Sequence, residues 1–275
     1  MIIVPPIKTQ WIKTKLVDFI KTYAKIPENW FWIEPFMWSW VVWFNIAPKN
    51  AIFSDTNPFI IKFYDDLNNW KLNFSIVRTF LENEWEHLYE QGEPYYKYVR
   101  DRFNEQGEPL DFLFLNRSCF NGMIRFNRKW WFNVPFCKKP NRFSKSYITK
   151  IVNQVKNVQN LMEINNWTFV CKDFKDTISM WNSGDFIYCD PPYIWRNVDY
   201  YDSWDENKEH DLNFYLSKFW WKFAVSTRYK NQFRENEYLN SIWKDYRIET
   251  TKHFYFVWWK ESNRNPIIEA LILNY

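Results

Sequence analysis

The sequence of 275 residues predicts an α/β protein whose doubly wound, parallel sheet is interrupted by a mostly helical segment. Strand and helix patterns alternate in the first and last parts of the chain, whereas residues 68–166 have a polar, helical pattern. Hydrophobic residues make up 47% of the chain, which is enough for a sizeable core. We therefore predict one domain made of residues 1–67 and 167–275, with a second domain, residues 68–166, inserted into it.

The first part of the chain begins the alternation. Residues 13–25 place apolar side chains at roughly helical spacing. Residues 32–36 form a short run that ends in residues typical of turns. Residues 50–55 predict a strand that ends at an acid, and Asn57-Pro58 predicts the start of the next helix. This order is typical of a parallel sheet with helical crossovers.

The last part of the chain returns to the same alternation. The charged stretch from Asp205 to Asp211 predicts a helix start, because acidic side chains are favourable at a helix N-terminus. Short apolar runs predict strands at residues 168–171, 186–189, 223–226, 254–257 and 267–273.

The composition excludes several classes of protein. No apolar run approaches the roughly 18 residues of a transmembrane helix, and the first ten residues do not have the pattern of a signal peptide. The four cysteines form no C-x-x-C pair and there are three histidines, which argues against a zinc ribbon or a disulfide scaffold. We therefore expect a cytoplasmic, prokaryotic or phage protein without a metal and without a membrane partner.

Charge is distributed unevenly along the predicted insertion. Residues 112–162 contain no Asp or Glu but ten Lys or Arg, in a chain whose net charge is +4. Phe and Asn are interleaved with these cations. Such segregation is what a surface that follows phosphates needs, although a solvated basic face would look similar.

The strongest chemical signal is the sequence D-P-P-Y at Asp190, Pro191, Pro192 and Tyr193, directly after a predicted buried strand. Open α/β sheets place their sites at the carboxyl ends of strands. Asp190 and the Pro191 carbonyl are acceptors held by a stiff backbone, and Tyr193 offers a flat face. Together they suit a planar substrate with an exocyclic amino group.

With this motif, the chain resembles the DNA adenine-N6 methyltransferases of the Dam type, the D12 class. The resemblance covers nearly the whole chain, in the family's order. Besides D-P-P-Y, it is carried by residues 6–16 (P-I-K-T-Q-W-I-K-T-K-L), 31–40 (F-W-I-E-P-F-M-W-S-W), 54–58 (S-D-T-N-P), 121–136 and 172–174 (K-D-F). It implies a Rossmann-like, S-adenosylmethionine-dependent methyltransferase sheet with an inserted target-recognition domain.

The resemblance also implies how the methyl donor is held. Lys13 and Glu34 would hold its methionine end, Asp55 its ribose hydroxyls, and Asp173 with Phe174 its adenine. An acid at the end of the second strand also suits a ribose on physical grounds. The full set of implied donor-site residues is Trp11, Lys13, Glu34, Phe36, Trp38, Trp40, Asp55, Asp173, Phe174 and Asp190.

The implied reaction is direct methyl transfer to an adenine that has left the DNA stack. Tyr193 would stack on the base while Asp190 and the Pro191 carbonyl accept from its amino group, so no metal is needed. The basic segment would grip duplex DNA through Arg128, Lys129, Asn133, Lys138 and Lys139.

Two other functions stay open at this stage, namely a catalytically inactive DNA-binding relative and an RNA N6-adenine methyltransferase. We expect a monomer, and the resemblance leaves open whether a restriction endonuclease accompanies it.

Glycine and tryptophan have unusual frequencies. The chain has 4 glycines and 19 tryptophans, and Trp-Trp doublets stand where turns are expected. Trp11, Trp38 and Trp40 stand where the resembled family has glycine. We therefore hypothesise that many UGA codons, read as glycine in the source organism, are written here as tryptophan, with genuine tryptophans at places such as Trp167 and Trp204. Real indoles at Trp38 and Trp40 would instead plug the donor loop.

Overall fold

The computed structural model describes residues 2–9, 12–180, 183–193, 204–218, 222–231, 233–253 and 267–275. These residues form two compact units. The first contains Asn57–Phe169 and the N-terminal segment through Ile12. The second contains Lys13–Thr56 and the described residues from Ser203 to Tyr275, together with those from Val170 onward to the D-P-P-Y motif.

Seven strands form one mixed sheet: β1 (Trp32–Glu34), β2 (Asn50–Asp55), β3 (Asn166–Cys171), β4 (Phe186–Cys189), β5 (Lys222–Lys230), β6 (Arg247–His253) and β7 (Ile267–Leu273). Their order is β3-β2-β1-β4-β5-β7-β6. The strand β1 pairs in parallel with β2 and β4, and β4 pairs in parallel with β5. The order of the first five strands is that of a doubly wound sheet, so the α/β, Rossmann-like prediction is confirmed.

One edge of the sheet is antiparallel. The strand β7 pairs antiparallel with both β5 and β6. The apolar run of β7 indicates a buried strand, but an apolar pattern does not specify strand direction. The strand β6 was not predicted, because its sequence R-I-E-T-T-K-H has few apolar residues. The predicted strand at residues 254–257 lies outside the described residues.

Ten α-helices are described: α1 (Val17–Tyr23), α2 (Val41–Ile46), α3 (Pro58–Asn68), α4 (Phe74–Gln91), α5 (Glu93–Gln106), α6 (Pro109–Ser118), α7 (Lys145–Ile164), α8 (Phe174–Ser179), α9 (Glu206–Ser217) and α10 (Tyr238–Ser241). Two of the predicted starts are confirmed, because the Asn57 and Asp205 side chains accept hydrogen bonds from the first turns of α3 and α9. Within the described residues, no helix is both long enough and apolar enough to cross a bilayer.

The first unit contains the helices α3 to α7, with breaks at two glycines. Gly92 (φ 63°) separates α4 from α5, and Gly107 (φ 68°) ends α5. Both are left-handed positions, where glycine has no steric penalty. The unit also takes in α3, whereas the sequence places residues 57–67 in the sheet domain. The helix α3 packs against α6 and α7, which explains the grouping.

Two tryptophans in the first unit have a backbone conformation that favours glycine. Trp70 (φ 58°) follows α3 at the position where helices commonly end in glycine, and Trp130 (φ 59°) lies in a hairpin turn. A bulky residue at positive φ is a steric outlier. The backbone therefore supports the hypothesis that these positions encode glycine.

An apolar core packs against the sheet among the described residues of the second unit. Buried members include Ile33 on β1, Ile187 on β4, Val225 on β5 and Ile272 on β7. Glu209 of α9 lies beside this core, and its carboxylate accepts from the indole nitrogens of Trp204 (2.6 Å) and Trp243 (2.7 Å). These two tryptophans are thus built into the unit by hydrogen bonds as well as by packing.

Candidate active site

The candidate site lies at the carboxyl ends of β1 and β4, which are neighbours in the sheet. Between these two strands the strand order reverses, and such a switch point is where open α/β sheets bind ligands. Glu34 is the last residue of β1, and Asp190 directly follows β4. Asp55 ends β2, the next strand outward. The topology thus places three predicted acids on one edge of the sheet.

Asp190 is buried and forms an ion pair with Lys13. The Lys13 ammonium also donates to the hydroxyl of Ser226, on β5. Because Lys13 is only 4% exposed, this pair is shielded from solvent and links the start of the D-P-P-Y segment to β5. Ser226 was not among the predicted site residues, although a serine directly after the apolar residues 223–225 was an available signal.

The rest of the D-P-P-Y motif stays close to this pair. Pro191 is buried, while Pro192 and Tyr193 are partly exposed. The Tyr193 hydroxyl donates to Oε2 of Glu269 at 3.0 Å, and the Lys13 ammonium lies 5.3 Å from the centre of the Tyr193 ring. Glu269 lies on β7 and is 1% exposed. Glu269 was not among the predicted site residues, although it is a single acid inside an apolar strand.

Glu34 is completely buried. Its Oε2 accepts from the indole nitrogen of Trp32 at 3.2 Å, while its Oε1 has no hydrogen-bond partner among the described residues. Burial raises the pKa of the Glu34 carboxyl well above its ordinary value, and the nearby Asp190 carboxylate raises it further. The Trp32 hydrogen bond and Lys13 oppose this rise in pKa without cancelling it. Lys13 thus acts on Glu34 from a distance, while its ion pair is with Asp190.

Aromatic rings flank the acids. Phe36, which follows β1, stacks on Phe174 with ring centres 5.3 Å apart, and both rings contact Trp204. Asp173 precedes Phe174 and caps α8 by accepting from the Lys175 backbone at 2.9 Å. The cap role of Asp173 is thus visible in the structure, and its carboxylate lies at the end of β3.

The segment between β1 and α2 carries Trp38 and Trp40. Trp40 is 1% exposed and Trp38 is half-buried, with ring centres 6.4 Å apart. Trp40 has an irregular backbone (φ −21°, ψ −29°) directly before α2. Trp11, the third residue at a glycine position of the resembled family, lies outside the described residues.

The first unit presents a basic hairpin. An antiparallel bridge joins Phe126 and Phe132, and the side chain of Asn127 accepts backbone hydrogen bonds from Lys129 and Trp131 to close the turn. Arg128, Lys129 and Trp131 are exposed at its tip. The Lys129 ammonium lies 5.8 Å from the Trp131 ring centre. An exposed cation next to an exposed ring is an arrangement that binds nucleic acid.

The other predicted DNA contacts lie nearby along the chain. Asn133 is exposed, but its side-chain oxygen already accepts from Arg125 at 2.7 Å. Lys138 and Lys139 are exposed, and Lys138 has a positive φ of 56°. All five predicted contacts are therefore on the surface, and Asn133 is the one whose side chain is engaged within the hairpin.

A known protein family matches most of the chain. A model of the D12 class N6 adenine-specific DNA methyltransferases matches residues 12–257. The chain belongs to this family. The match confirms the resemblance that rests on the D-P-P-Y motif.

Named relatives of this D12-class chain come from bacteria and an archaeon. The type II methyltransferase M.FokI of Planomicrobium okeanokoites is 27% identical over 88% of this chain and 38% of its own length. The DNA adenine methylase of Serratia marcescens is 32% identical over 66% of this chain and 63% of its own. The type II methyltransferase M.MjaIII of Methanocaldococcus jannaschii is 28% identical over 89% of this chain and 88% of its own. The match thus spans less than two thirds of the first two relatives.

Proposed function

We propose that this D12-class chain is a site-specific DNA methyltransferase that transfers a methyl group from S-adenosylmethionine to N6 of an adenine in duplex DNA. The observation that carries the proposal is the buried Asp190–Lys13 pair, which fixes D-P-P-Y at the switch point of the sheet. The relatives that are named DNA adenine methylase or type II methyltransferase support the same reaction.

The substrate adenine leaves the stack, because its amino group is otherwise paired. Asp190 and the Pro191 carbonyl accept from that amino group, which keeps its nitrogen lone pair available as the nitrogen becomes tetrahedral. Tyr193 stacks on the base, and its hydrogen bond to Glu269 holds the ring in place. Orientation of this kind supplies much of the acceleration in a direct displacement.

The acids at the strand ends are suited to hold the donor. Glu34 has a buried oxygen without a partner among the described residues, which fits the ammonium of a methionine moiety. Asp55 would receive the ribose, and Asp173 with Phe174 the adenine. When bound, S-adenosylmethionine supplies an electrophilic methyl carbon. Lys13 pairs with Asp190 and holds this acceptor in place, and the Phe36–Phe174 stack lies beside it as an apolar wall.

Residues 68–166 act as the target-recognition domain in this proposal. Its acid-free segment and the exposed cations of the hairpin tip favour a polyanion over a small substrate. Arg128 and Lys129 are the residues placed best to reach DNA, followed by Asn133, Lys138 and Lys139. The protein acts as a monomer, whether or not a restriction endonuclease shares its recognition sequence.

The test is transfer of radiolabelled methyl from S-adenosylmethionine to unmethylated duplex DNA and to RNA, followed by identification of the modified nucleoside. It uses the chain as written and a Trp38→Gly/Trp40→Gly variant, because indoles occupy the loop next to the site. We expect N6-methyladenine in DNA from at least one of the two.

Asp190→Asn should abolish transfer, and Asp245→Asn, at an exposed acid of the same unit, should not. Transfer to RNA alone, or transfer by neither protein, contradicts the proposal. Donor binding would then separate a different substrate from an inactive DNA-binding relative.

A further inference from the structure

A buried arginine lies beside the D-P-P-Y motif and has no role in the chemistry so far. Arg228, on β5, is 9% exposed. Its guanidinium carbon lies 5.1 Å from the centre of the Tyr193 ring. Sequence analysis did not single it out, because one arginine in a strand is more often a surface cation than a buried one.

Strand alternation explains why this side chain points inward. Arg228 pairs with Glu269 in the same register as the residues before it, so it lies on the face of β5 that also carries Ser226. The register with β7 shifts only after Arg228, before Lys230. The side chain of Asn236 donates to the Arg228 carbonyl at 3.2 Å, which attaches the following loop to this end of β5. The pairing with β7 and this hydrogen bond thus fix the backbone that carries Arg228.

One edge of the guanidinium is unsatisfied. Nε and Nη2 of Arg228 are buried and have no hydrogen-bond partner among the described residues. These two nitrogens form the side-on fork of an arginine, whose parallel donors match two oxygens of a carboxylate or phosphate. Glu269 lies opposite Arg228 in the strand register, and its Oε2 accepts from the Tyr193 hydroxyl.

An unfilled fork of this kind is costly. A guanidinium stays protonated in proteins, and buried donors without acceptors lose their hydration without compensation. Lys13 is the other cation at the Tyr193 ring, and it is already paired with Asp190. The Nε–Nη2 edge of Arg228 could therefore still pair with an anion that presents two oxygens close to the Tyr193 ring, on which the base would stack.

We propose that the Nε–Nη2 fork of Arg228 binds a phosphate of the target adenine nucleotide. This inference rests on the proposed function, because it takes Tyr193 as the platform for the extruded base. The extruded nucleotide carries its phosphate with it, and the fork holds that phosphate while Asp190 accepts from the amino group. Arg228 is thus a substrate-contacting residue that recognises the backbone of the flipped nucleotide and not the base itself.

The test compares adenosine 5′-monophosphate with adenosine as ligands of the full chain, with S-adenosylhomocysteine present at saturation to fill the donor site. We expect the monophosphate to bind at least about tenfold more tightly than adenosine, because the fork makes charge-assisted hydrogen bonds. Arg228→Met should remove this preference. Arg228→Lys keeps the charge but not the fork, and it should restore only part of the preference.

Arg247→Met serves as the matched control, because Arg247 is a more exposed arginine on the edge strand β6. It should leave the preference unchanged. Arg228→Met should also lower the salt-dependence slope for duplex DNA by about 0.9, the value for one phosphate contact.

Three results would overturn the inference. The first is equal binding of adenosine and its monophosphate by the unmodified chain. The second is a preference that survives Arg228→Met. The third is a weakened affinity of Arg228→Met for S-adenosylhomocysteine without a change for the nucleotide, which would assign the fork to the donor's carboxylate. None of these measurements requires methyl transfer, so they stand apart from the test of the proposed function.

Discussion

Replacing Trp70 by glycine should stabilise the protein, although it removes the largest side chain. Trp70 follows α3 with φ 58°, and it is 49% exposed. A side chain with Cβ costs roughly 1–2 kcal/mol in this left-handed conformation, and glycine avoids that cost. Removal of the indole also loses the contacts of its buried half, which offsets part of the stability gained from the relaxed backbone. We expect a net gain of about 0.5–1 kcal/mol in the free energy of unfolding.

The alanine variant at the same position separates the two effects. Trp70→Ala also loses the ring, but it keeps Cβ and therefore the backbone strain. The free energy of unfolding should thus be about 1 kcal/mol higher with glycine than with alanine at residue 70. In a helix interior the order is reversed, and alanine is more stable than glycine by a similar amount. Urea unfolding of the three proteins, followed by tryptophan-independent far-UV circular dichroism, measures the difference.

Trp243 provides the opposite case within the same chain. It is fully buried, and its indole donates to Glu209. Trp243→Gly should cost at least about 3–5 kcal/mol, because it leaves a cavity and an unpaired acceptor. If Trp70→Gly were as damaging as Trp243→Gly, or no better than Trp70→Ala, the assignment of glycine to position 70 would be refuted. A UGG codon at positions 38 and 40 would end the recoding hypothesis for the donor loop.

Substitutions at three places test the site and the hairpin. Glu34→Gln should stabilise the protein at neutral pH. Because folding raises the pKa of Glu34, the protein with glutamate loses stability as the pH rises from the ordinary carboxyl pKa toward the raised folded pKa. The gain in the urea midpoint should therefore vanish near pH 4, and a gain that stays the same at every pH would contradict the pKa shift. The same variant should weaken S-adenosylhomocysteine binding, measured by calorimetry. Tyr193→Phe keeps the ring but loses the hydrogen bond to Glu269, so the rate of methyl transfer should fall by roughly tenfold. Tyr193→Ala also loses the ring, so its activity should be almost abolished. Equal losses in the two variants would show that the ring does not contribute to transfer. Arg128→Gln/Lys129→Gln should reduce the slope of log DNA affinity against log salt concentration by about 2, and Arg78→Gln on α4 serves as the control. An unchanged slope would show that the hairpin tip does not contact DNA.

The sequence was sufficient for the elements that carry their own local signals. Asn57 and Asp205 cap the helices that they were expected to start, and the buried run before Asp190 is the strand β4. An acid at the end of a short apolar run was enough to place Asp55 at a strand end, whereas Glu34 was assigned from the family resemblance. These features depend on neighbours in sequence, which is why pattern reasoning finds them.

The parts that escaped prediction depend on distant residues. Ser226 and Glu269 contact Lys13 and Tyr193 only because β5 and β7 lie where they do in the sheet. The antiparallel direction of β7 is decided by its pairing with β5 and β6, and its own apolar pattern fits either direction. Arg228 lies on the same face of β5 as Ser226 and is buried with Glu269 of β7 opposite it, which depends on how the two strands pair.

The unsatisfied charges of the second unit point to one edge of its sheet. Among the buried charged side chains that the structure describes, two have atoms without a hydrogen-bond partner: Glu34 at Oε1, and Arg228 at Nε and Nη2. One ends β1 and the other lies near the carboxyl end of β5, on either side of β4 and Asp190. Folding alone gains nothing from either group, since each lowers stability until a ligand pairs with it. An ammonium satisfies the first and a phosphate the second, so the two ligands of the proposed reaction are the groups that would remove both penalties. We therefore expect donor and nucleotide together to raise the unfolding midpoint by more than either ligand alone.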